Sequence, residues 1–397
     1  MLLLLCKLLQ FLFDCKIPTV FSYFSTRIML ATATSLLLCI FLGPRFIRKL
    51  YELKIGQPIR CAQECPVLAE LHEKKKDTPT MGGVLILFSM CVSLFLWMDL
   101  TNVFTYILLF TTLFLGVLGG MDDYLKLRHK NSKGLNARKK MIWQLLFSGL
   151  LALYLLCPAF TETFSGSHPP VAKQQAHREQ ITLSTQEYME RLYLPFFKDP
   201  VAIFDGWWKI ASFLLIVFVI TGTSNAVNLT DGLDGLAAGC LFMVSLVLGL
   251  IAFLSNNIDL ARYLNILYIE GSGEIAVYLF ALCGACLGFL WYNGYPAQVF
   301  MGDIGSLALG GILGVASVLL RREVLLALSG AIFVVEALSV IIQVASYRLR
   351  NKKRVFLCAP LHHHFEYKGW PETKVVVRFW IISILFAILS VASLKFQ

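Results

Sequence analysis

The chain has 397 residues, 57% of them hydrophobic and only 15% charged, which excludes a disordered segment, a collagen-like fibre and an ordinary water-soluble globule. Thirty-five Lys and Arg against 25 Asp and Glu leave a net charge of +10, and the apolar excess turns that basic balance toward a lipid bilayer and away from nucleic acid.

A helix that crosses roughly 30 Å of hydrocarbon needs about 20 apolar residues. On that measure the sequence predicts an all-α polytopic membrane protein of about ten transmembrane helices, over 20–43, 81–98, 103–120, 141–160, 209–228, 235–254, 274–291, 305–320, 324–346 and 375–394. Residues 1–397 read as one integral membrane domain, with 161–208 as an extended outer connection. The opening MLLLLCKLLQFLF has no basic leader and no small-residue cleavage site, so it reads as an interfacial or re-entrant stretch. The eleven cysteines are odd in number and mostly sit in apolar runs. Cys61 with Cys65 and Cys283 with Cys286 lack a second pair at zinc-site spacing and read as reduced packing thiols.

Basic connections stay on the cytoplasmic side of a membrane. The odd-numbered connections between the predicted spans hold 22 Lys and Arg, whereas the even-numbered connections and both tails hold ten, so the odd ones face inward and both termini face outward. Five polar clusters, TPTMGG (78–83), MDDYLK (121–126), NLTDGLDG (228–235), MGDIGS (301–306) and PLHHHFE (360–366), all lie in or beside odd-numbered connections. The chemistry is therefore expected on one face, the cytoplasmic one.

Asp122 and Asp123 stand side by side at the predicted end of the third span, followed by Lys126, Arg128 and Lys130. Adjacent carboxylates suit a hard cation, general-base work on a phosphate, or both. Asp303 occupies a tight turn between Gly302 and Gly305, where missing side chains permit close backbone approach. Asp231 and Asp234 lie in a connection with no base of its own, which favours a bound cation. Lys75, Lys76, Arg138 and the basic run 348–354 surround these acids with positive charge, and no Walker-type nucleotide loop is present. His362, His363 and His364 fit phosphate recognition or proton shuttling better than a tetrahedral zinc site. Glu336 is mid-span, where a carboxylate serves either a site or an interhelical hydrogen bond, and Gly310, Gly311 and Gly314 read as close helix packing.

Taken together, TPTMGG, GMDDYLKL, SNAVNLTDGLDGLA, YPAQVFMGDIGSLALGG and APLHHHFEYKGW resemble the phospho-N-acetylmuramoyl-pentapeptide-transferase family of the polyprenyl-phosphate N-acetylhexosamine-1-phosphate transferases, in the family's order and over nearly the whole chain. The resemblance implies a Mg²⁺-dependent enzyme of the bacterial inner membrane, with a cytoplasmic active site, serving peptidoglycan synthesis and so cell-wall biogenesis, shape and division. It implies the substrates UDP-N-acetylmuramoyl-pentapeptide and undecaprenyl phosphate, the products UMP and the first lipid-linked intermediate (lipid I), and a homodimer. By motif match Asp122, Asp123 and Asp303 are expected to be catalytic, with Asp303 on the metal and Asn228 beside it. Lys75, Gly232, Leu233, Asp234, Phe300 and Gln343 match uridine-pocket positions, Thr80, Asp231, His362, His363 and His364 match positions around sugar and phosphates, and Lys126 and Lys130 are expected from their charge to meet phosphate. A relative that takes UDP-N-acetylglucosamine is the nearest rival. A transporter is a distant one, since it would place its charges at mid-membrane and show an internal repeat.

Overall fold

The structure, a computed structural model, describes residues 19–53, 75, 78–129, 134–165, 170–176 and 179–395. The N-terminal apolar run, Cys61, Cys65, Lys76 and Lys130 lie outside the described residues. Among the described residues ten helices form the bundle: α1 (Phe24–Glu52), α2 (Gly83–Trp97), α3 (Val103–His129), α4 (Ala137–Leu156), α5 (Lys209–Thr230), α6 (Leu236–Ser255), α7 (Ser272–Asn293), α8 (Gly302–Leu319), α9 (Ala331–Leu349) and α10 (Glu372–Ala392). Among the described residues nine helices are long and apolar enough to cross a membrane, and α2, at 15 residues, is shorter. The chain is an integral, polytopic membrane protein of nearly all-helical structure.

The helices sort into a centre and a rim. In α8, 83% of the apolar stretch is buried inside the protein and in α7 78%, against 28% in α9 and in α10. α7 packs chiefly on α1 and α6, and α8 on α3 and α5. Small residues permit the second contact: side chains at Gly310 and Gly314 would run into the α5 backbone at Thr223, Ser224 and Ile220, as the packing reading of these glycines expects. Cys283 and Cys286 are buried free thiols within α7.

Four boundaries differ from the sequence expectation. α1 continues through Pro44 to Glu52, because Ile47 and Leu50 keep burying against the bundle. α3 runs to His129 and not to 120, so Asp122 and Asp123 sit inside a helix and Asp122 pairs with Lys126 one turn on. The fourth span ends at Leu156, and Pro158–Ser165 forms a separate short helix. The expected span 324–346 is two helices, Glu323–Ser329 and α9, separated at Gly330, because Glu323, Leu325 and Leu326 turn back into the protein.

At one end of the bundle the 161–208 connection carries a hairpin, β1 (Ala172–Ala176) with β2 (Glu179–Leu183), followed by the short pair β3 (Arg191–Leu192) and β4 (Ala202–Ile203). β1 also pairs antiparallel with β5 (Tyr268–Ile269), tying this connection to the one between α6 and α7. The loops carrying the five polar clusters are at the other end.

Candidate active site

The site is built where α3 meets the start of α8. Residues 79–83 lie alongside 300–301: Phe300 N donates to Pro79 O at 2.8 Å, and Gly82 N and Gly83 N donate to Phe300 O and Met301 O, both at 2.7 Å. The first and fourth polar clusters thus form one scaffold. Gly302 has φ of 76°, a left-handed conformation that starts α8 so that Asp303 falls in its first turn. A Cβ there would approach Asp123 Oδ2 to 2.7 Å. Ile304 N, at the positive end of the α8 dipole, donates to that same Asp123 oxygen at 3.1 Å.

The three expected catalytic acids meet. Asp122, Asp123 and Asp303 each offer a carboxylate oxygen within 4.8 Å of the others. Lys126 Nζ stands 2.7 Å from Asp122 Oδ2, 3.0 Å from Asp303 Oδ2 and 3.7 Å from Asp123 Oδ1, so three carboxylates already converge on one positive point. Lys140 from α4 adds a second cation, 2.7 Å from Asp303 Oδ2 and 3.9 Å from Asp122 Oδ2. Asp122 Oδ1 accepts from Leu135 N at 2.6 Å, which fixes the end of the α3–α4 connection, just ahead of α4, beside the acids. Two lysines against three carboxylates leave a surplus negative charge, and the oxygen-only donor set fits a hard divalent cation. Asn228 touches Asp303 Oδ1 through its amide nitrogen at 2.8 Å and also donates to Ser306 Oγ, so it holds the acid in place.

Thr80 is buried close to Gly302, at the edge of the triad. Asp231 caps the C-terminal end of α5, where burial and the negative charges of Asp303 and Asp123 push its carboxyl up to about 7. The expectation that Asp234 lacks a base is corrected by the structure. Lys75, 159 residues away, lies 2.6 Å from its Oδ1, and Ala297 N donates to Oδ2 at 3.0 Å. Phe300 stands near them, its ring centroid 6.0 Å from Lys75 Nζ. Leu233 is buried under this loop, and Gly232 lies against His362, whose ring occupies the space a side chain at 232 would need.

The histidines do not act as one group. They lie on a short helix, Leu361–Tyr367, where consecutive side chains diverge. His362 is fully buried: its backbone N donates to Glu336 Oε1 at 3.1 Å, and its Nδ1 is 3.2 Å from Glu336 Oε2. Of the two readings of Glu336, the structure displays the interhelical contact. His363 pairs with Glu366 at 2.7 Å. His364 Nδ1 accepts from Leu357 N at 3.1 Å, and burial together with Lys368 lowers its pKa, keeping the ring neutral as that contact requires. Among the described residues Gln343 makes no hydrogen bond to the Lys75 cluster and clasps the backbone of Val355 and Phe356.

Two polar residues of this end escaped the sequence reading. Lys140 belongs to an Arg-Lys-Lys run that looks like a topological anchor, and only the start of α4 at Ala137 identifies which of the three turns inward. Glu372 begins α10 and meets Lys75 across 297 residues, a separation that leaves no local signal.

The glycosyl transferase family 4 model matches residues 105–321, and a phospho-N-acetylmuramoyl-pentapeptide-transferase signature matches 75–87. The chain is 64% identical to the phospho-N-acetylmuramoyl-pentapeptide-transferase of Protochlamydia amoebophila, with 100% of each chain covered. It is 46% identical to that of Desulfotalea psychrophila, with 95% of each covered, and 45% identical to that of Methylacidiphilum infernorum, with 96% of each covered. The signature falls on the 79–83 scaffold beneath Asp303, the family 4 match spans all three acids, and by full-length similarity the chain belongs to the phospho-N-acetylmuramoyl-pentapeptide-transferase family.

Proposed function

We infer that the chain transfers phospho-N-acetylmuramoyl-pentapeptide from its UDP-linked donor to undecaprenyl phosphate, releasing UMP and forming lipid I. The observation that carries this reading is the convergence of Asp122, Asp123 and Asp303 on Lys126 and Lys140, at the same end of the bundle as the loops bearing Lys75, Asp234 and Phe300. Membership of the family supports the substrate pair. The mixed acid and base cluster supports phosphoryl transfer, whose catalysis is largely positioning and charge stabilisation.

In this reading the nucleoside end of the donor lies by Lys75, Gly232, Leu233, Asp234 and Phe300, and the pyrophosphate reaches toward Lys126, Lys140 and Asp303. A Mg²⁺ ion held by Asp303 with its neighbouring acids would draw charge from the pyrophosphate and ease departure of UMP. Asp122 or Asp123 takes the proton from the lipid phosphate, whose oxygen forms the bond to the sugar-linked phosphorus as its bond to UMP breaks. Lys126 and Lys140 hold the charge that develops on the oxygens in flight. We further propose that 1–397 is one domain of the bacterial inner membrane, with this end cytoplasmic, both termini periplasmic and a dimeric assembly.

The test is detergent-purified protein given UDP-N-acetylmuramoyl-pentapeptide, undecaprenyl phosphate and Mg²⁺, with UMP and lipid product scored by mass spectrometry beside Asp303→Asn. Both products from the parent protein and neither from the folded variant uphold the assignment. Turnover of only a UDP-N-acetylglucosamine donor overturns the substrate. A phosphorylated enzyme trapped with donor in the absence of lipid overturns the single displacement.

A further inference from the structure

Glu372 is the first residue of α10 and lies outside every polar cluster of the sequence, yet its carboxylate accepts three short hydrogen bonds. Lys75 Nζ donates to Oε1 at 2.6 Å and Oε2 at 2.7 Å, and the backbone N of Asp234 donates to Oε1 at 2.7 Å. Lys75 Nζ also donates to Asp234 Oδ1 at 2.6 Å, while Asp234 Oδ2 is held by Ala297 N. Four segments, carrying residues 75, 234, 297 and 372, are thereby fastened at one point. An acidic side chain in the first turn of a helix is favoured by the helix dipole, so α10 both supplies and steadies this carboxylate.

The ammonium is gripped by Asp234 Oδ1 on one side and by both oxygens of the Glu372 carboxylate on the other. Lys75 is thereby a fixed cation, 6.0 Å from the Phe300 ring centroid and 5.9 Å from that of Tyr295. The side chains of Lys75, Glu372 and Asp234 retain 16%, 10% and 1% of their exposure, so water does little to loosen the cluster. Gly235 N, the next amide along, donates to Asn293 Oδ1 at 3.0 Å, and Asn293 Nδ2 donates to Val299 O at 2.8 Å, which ties the same loop to the residue before Phe300.

We propose that Glu372 is a positioning residue for the nucleoside end of the UDP donor. It sets the height of Lys75 over Phe300 and the path of residues 232–235, so the slot for the base and ribose exists before the donor arrives. The pyrophosphate is left to Lys126 and Lys140. The proposal rests on the reading above that Lys75, Asp234 and Phe300 receive the nucleoside.

The experiment measures KM for donor and for undecaprenyl phosphate, kcat, and the inhibition constant of UMP, in full-length protein carrying Glu372→Gln, Glu372→Asp, Lys75→Ala, Phe300→Ala, or Lys75→Ala with Glu372→Gln. Loss of one charged hydrogen-bond partner predicts a rise of about tenfold in donor KM and in the UMP constant for Glu372→Gln. The KM for lipid and kcat are expected to stay within about twofold, and Glu372→Asp to recover part of the loss. Because Glu372 acts through Lys75, the double variant is expected to match Lys75→Ala alone. A Glu372→Gln protein that melts lower with donor KM and the UMP constant unchanged overturns the proposal, as does full additivity in the double variant. Phe300→Ala separates the two readings. A raised donor KM there beside an unchanged one in Glu372→Gln removes the role of Glu372 alone, whereas unchanged values in both remove the nucleoside pocket as well.

Discussion

Both ends of the bundle hold buried charge, and they balance it differently. At the end carrying the hairpin, Arg27 meets Glu274 at 2.6 Å, with Arg27 Nε also donating to Trp97 O and Asp99 N to the Glu274 carboxylate. Arg321, fully buried, pairs with Glu323 and donates to Arg191 O. Arg27 and Arg321 each have one acid there, and the buried Arg322 lies over the Tyr193 ring. At the other end Asp122, Asp123 and Asp303 share Lys126 and Lys140, and Asp234 and Glu372 share Lys75. One-to-one pairing closes a structure, whereas a surplus of acid in a nearly dry site leaves charge for a ligand to complete.

The sharpest way to break that contrast is to remove one acid from each end. Asp303→Asn is expected to cut turnover by roughly 10²–10³-fold or more, the scale of losing a transition-state charge contact, with the protein still folded. Measured kcat in protein shown monodisperse by size exclusion checks it, and retention of even a third of the activity would refute the assignment. Glu274→Gln, at the other end, is expected to cost about 3–5 kcal/mol of stability by stranding the Arg27 guanidinium. Activity per folded molecule should stay near the parent value. Thermal unfolding in detergent beside an active-site titration reads both quantities, and a large loss of activity at unchanged stability would erase the distinction between the ends.

Much of this contrast was legible in the sequence, and the illegible part has one cause. Helix number and the gathering of the five polar clusters at one end follow from apolar run length and loop charge, which are local properties. The meeting of Asp122, Asp123 and Asp303 was expected from motif resemblance and is realised through Gly302. Pairings across the chain were not legible: Asp234 looked uncompensated because its base, Lys75, is 159 residues away. His362 looked like a ligand-facing residue because nothing near it announces that Glu336, 26 residues earlier, lies against it in the interior. The ends of α1 and α3 were missed because Ile47, Leu50, Asp122 and Asp123 prolong those helices through tertiary burial, which hydropathy alone does not register.

A smaller effect sharpens the comparison within the active end. Lys140 reaches Asp303 from α4, while Lys126 shares a helix with Asp122 and Asp123. Lys140→Met removes one of two cations from a cluster that keeps its geometry, so turnover should fall about 10–100-fold, less than for Asp303→Asn. Removing a cation also deepens the local negative potential, so the Mg²⁺ concentration giving half-maximal rate should fall, not rise. A Mg²⁺ titration of the variant decides this, and a higher requirement would mean that Lys140 supports the metal-binding geometry itself.

The smallest effect concerns pH. The Asp231 carboxyl is pushed up to about 7 from an ordinary value of 3.8, so the folded protein binds this proton more tightly than the unfolded chain does. Stability from this group is therefore full below about pH 4, declines as pH rises toward 7, and is flat above that. Asp231→Asn keeps the shape and removes the ionisation, so its melting temperature in EDTA should vary less between pH 5 and 8 than the parent's. The expected difference is a few degrees, on the order of that from 1 kcal/mol in a chain this size. A melting temperature in Asp231→Asn that varies with pH as widely as the parent's would mean that the neighbouring acids do not raise this carboxyl.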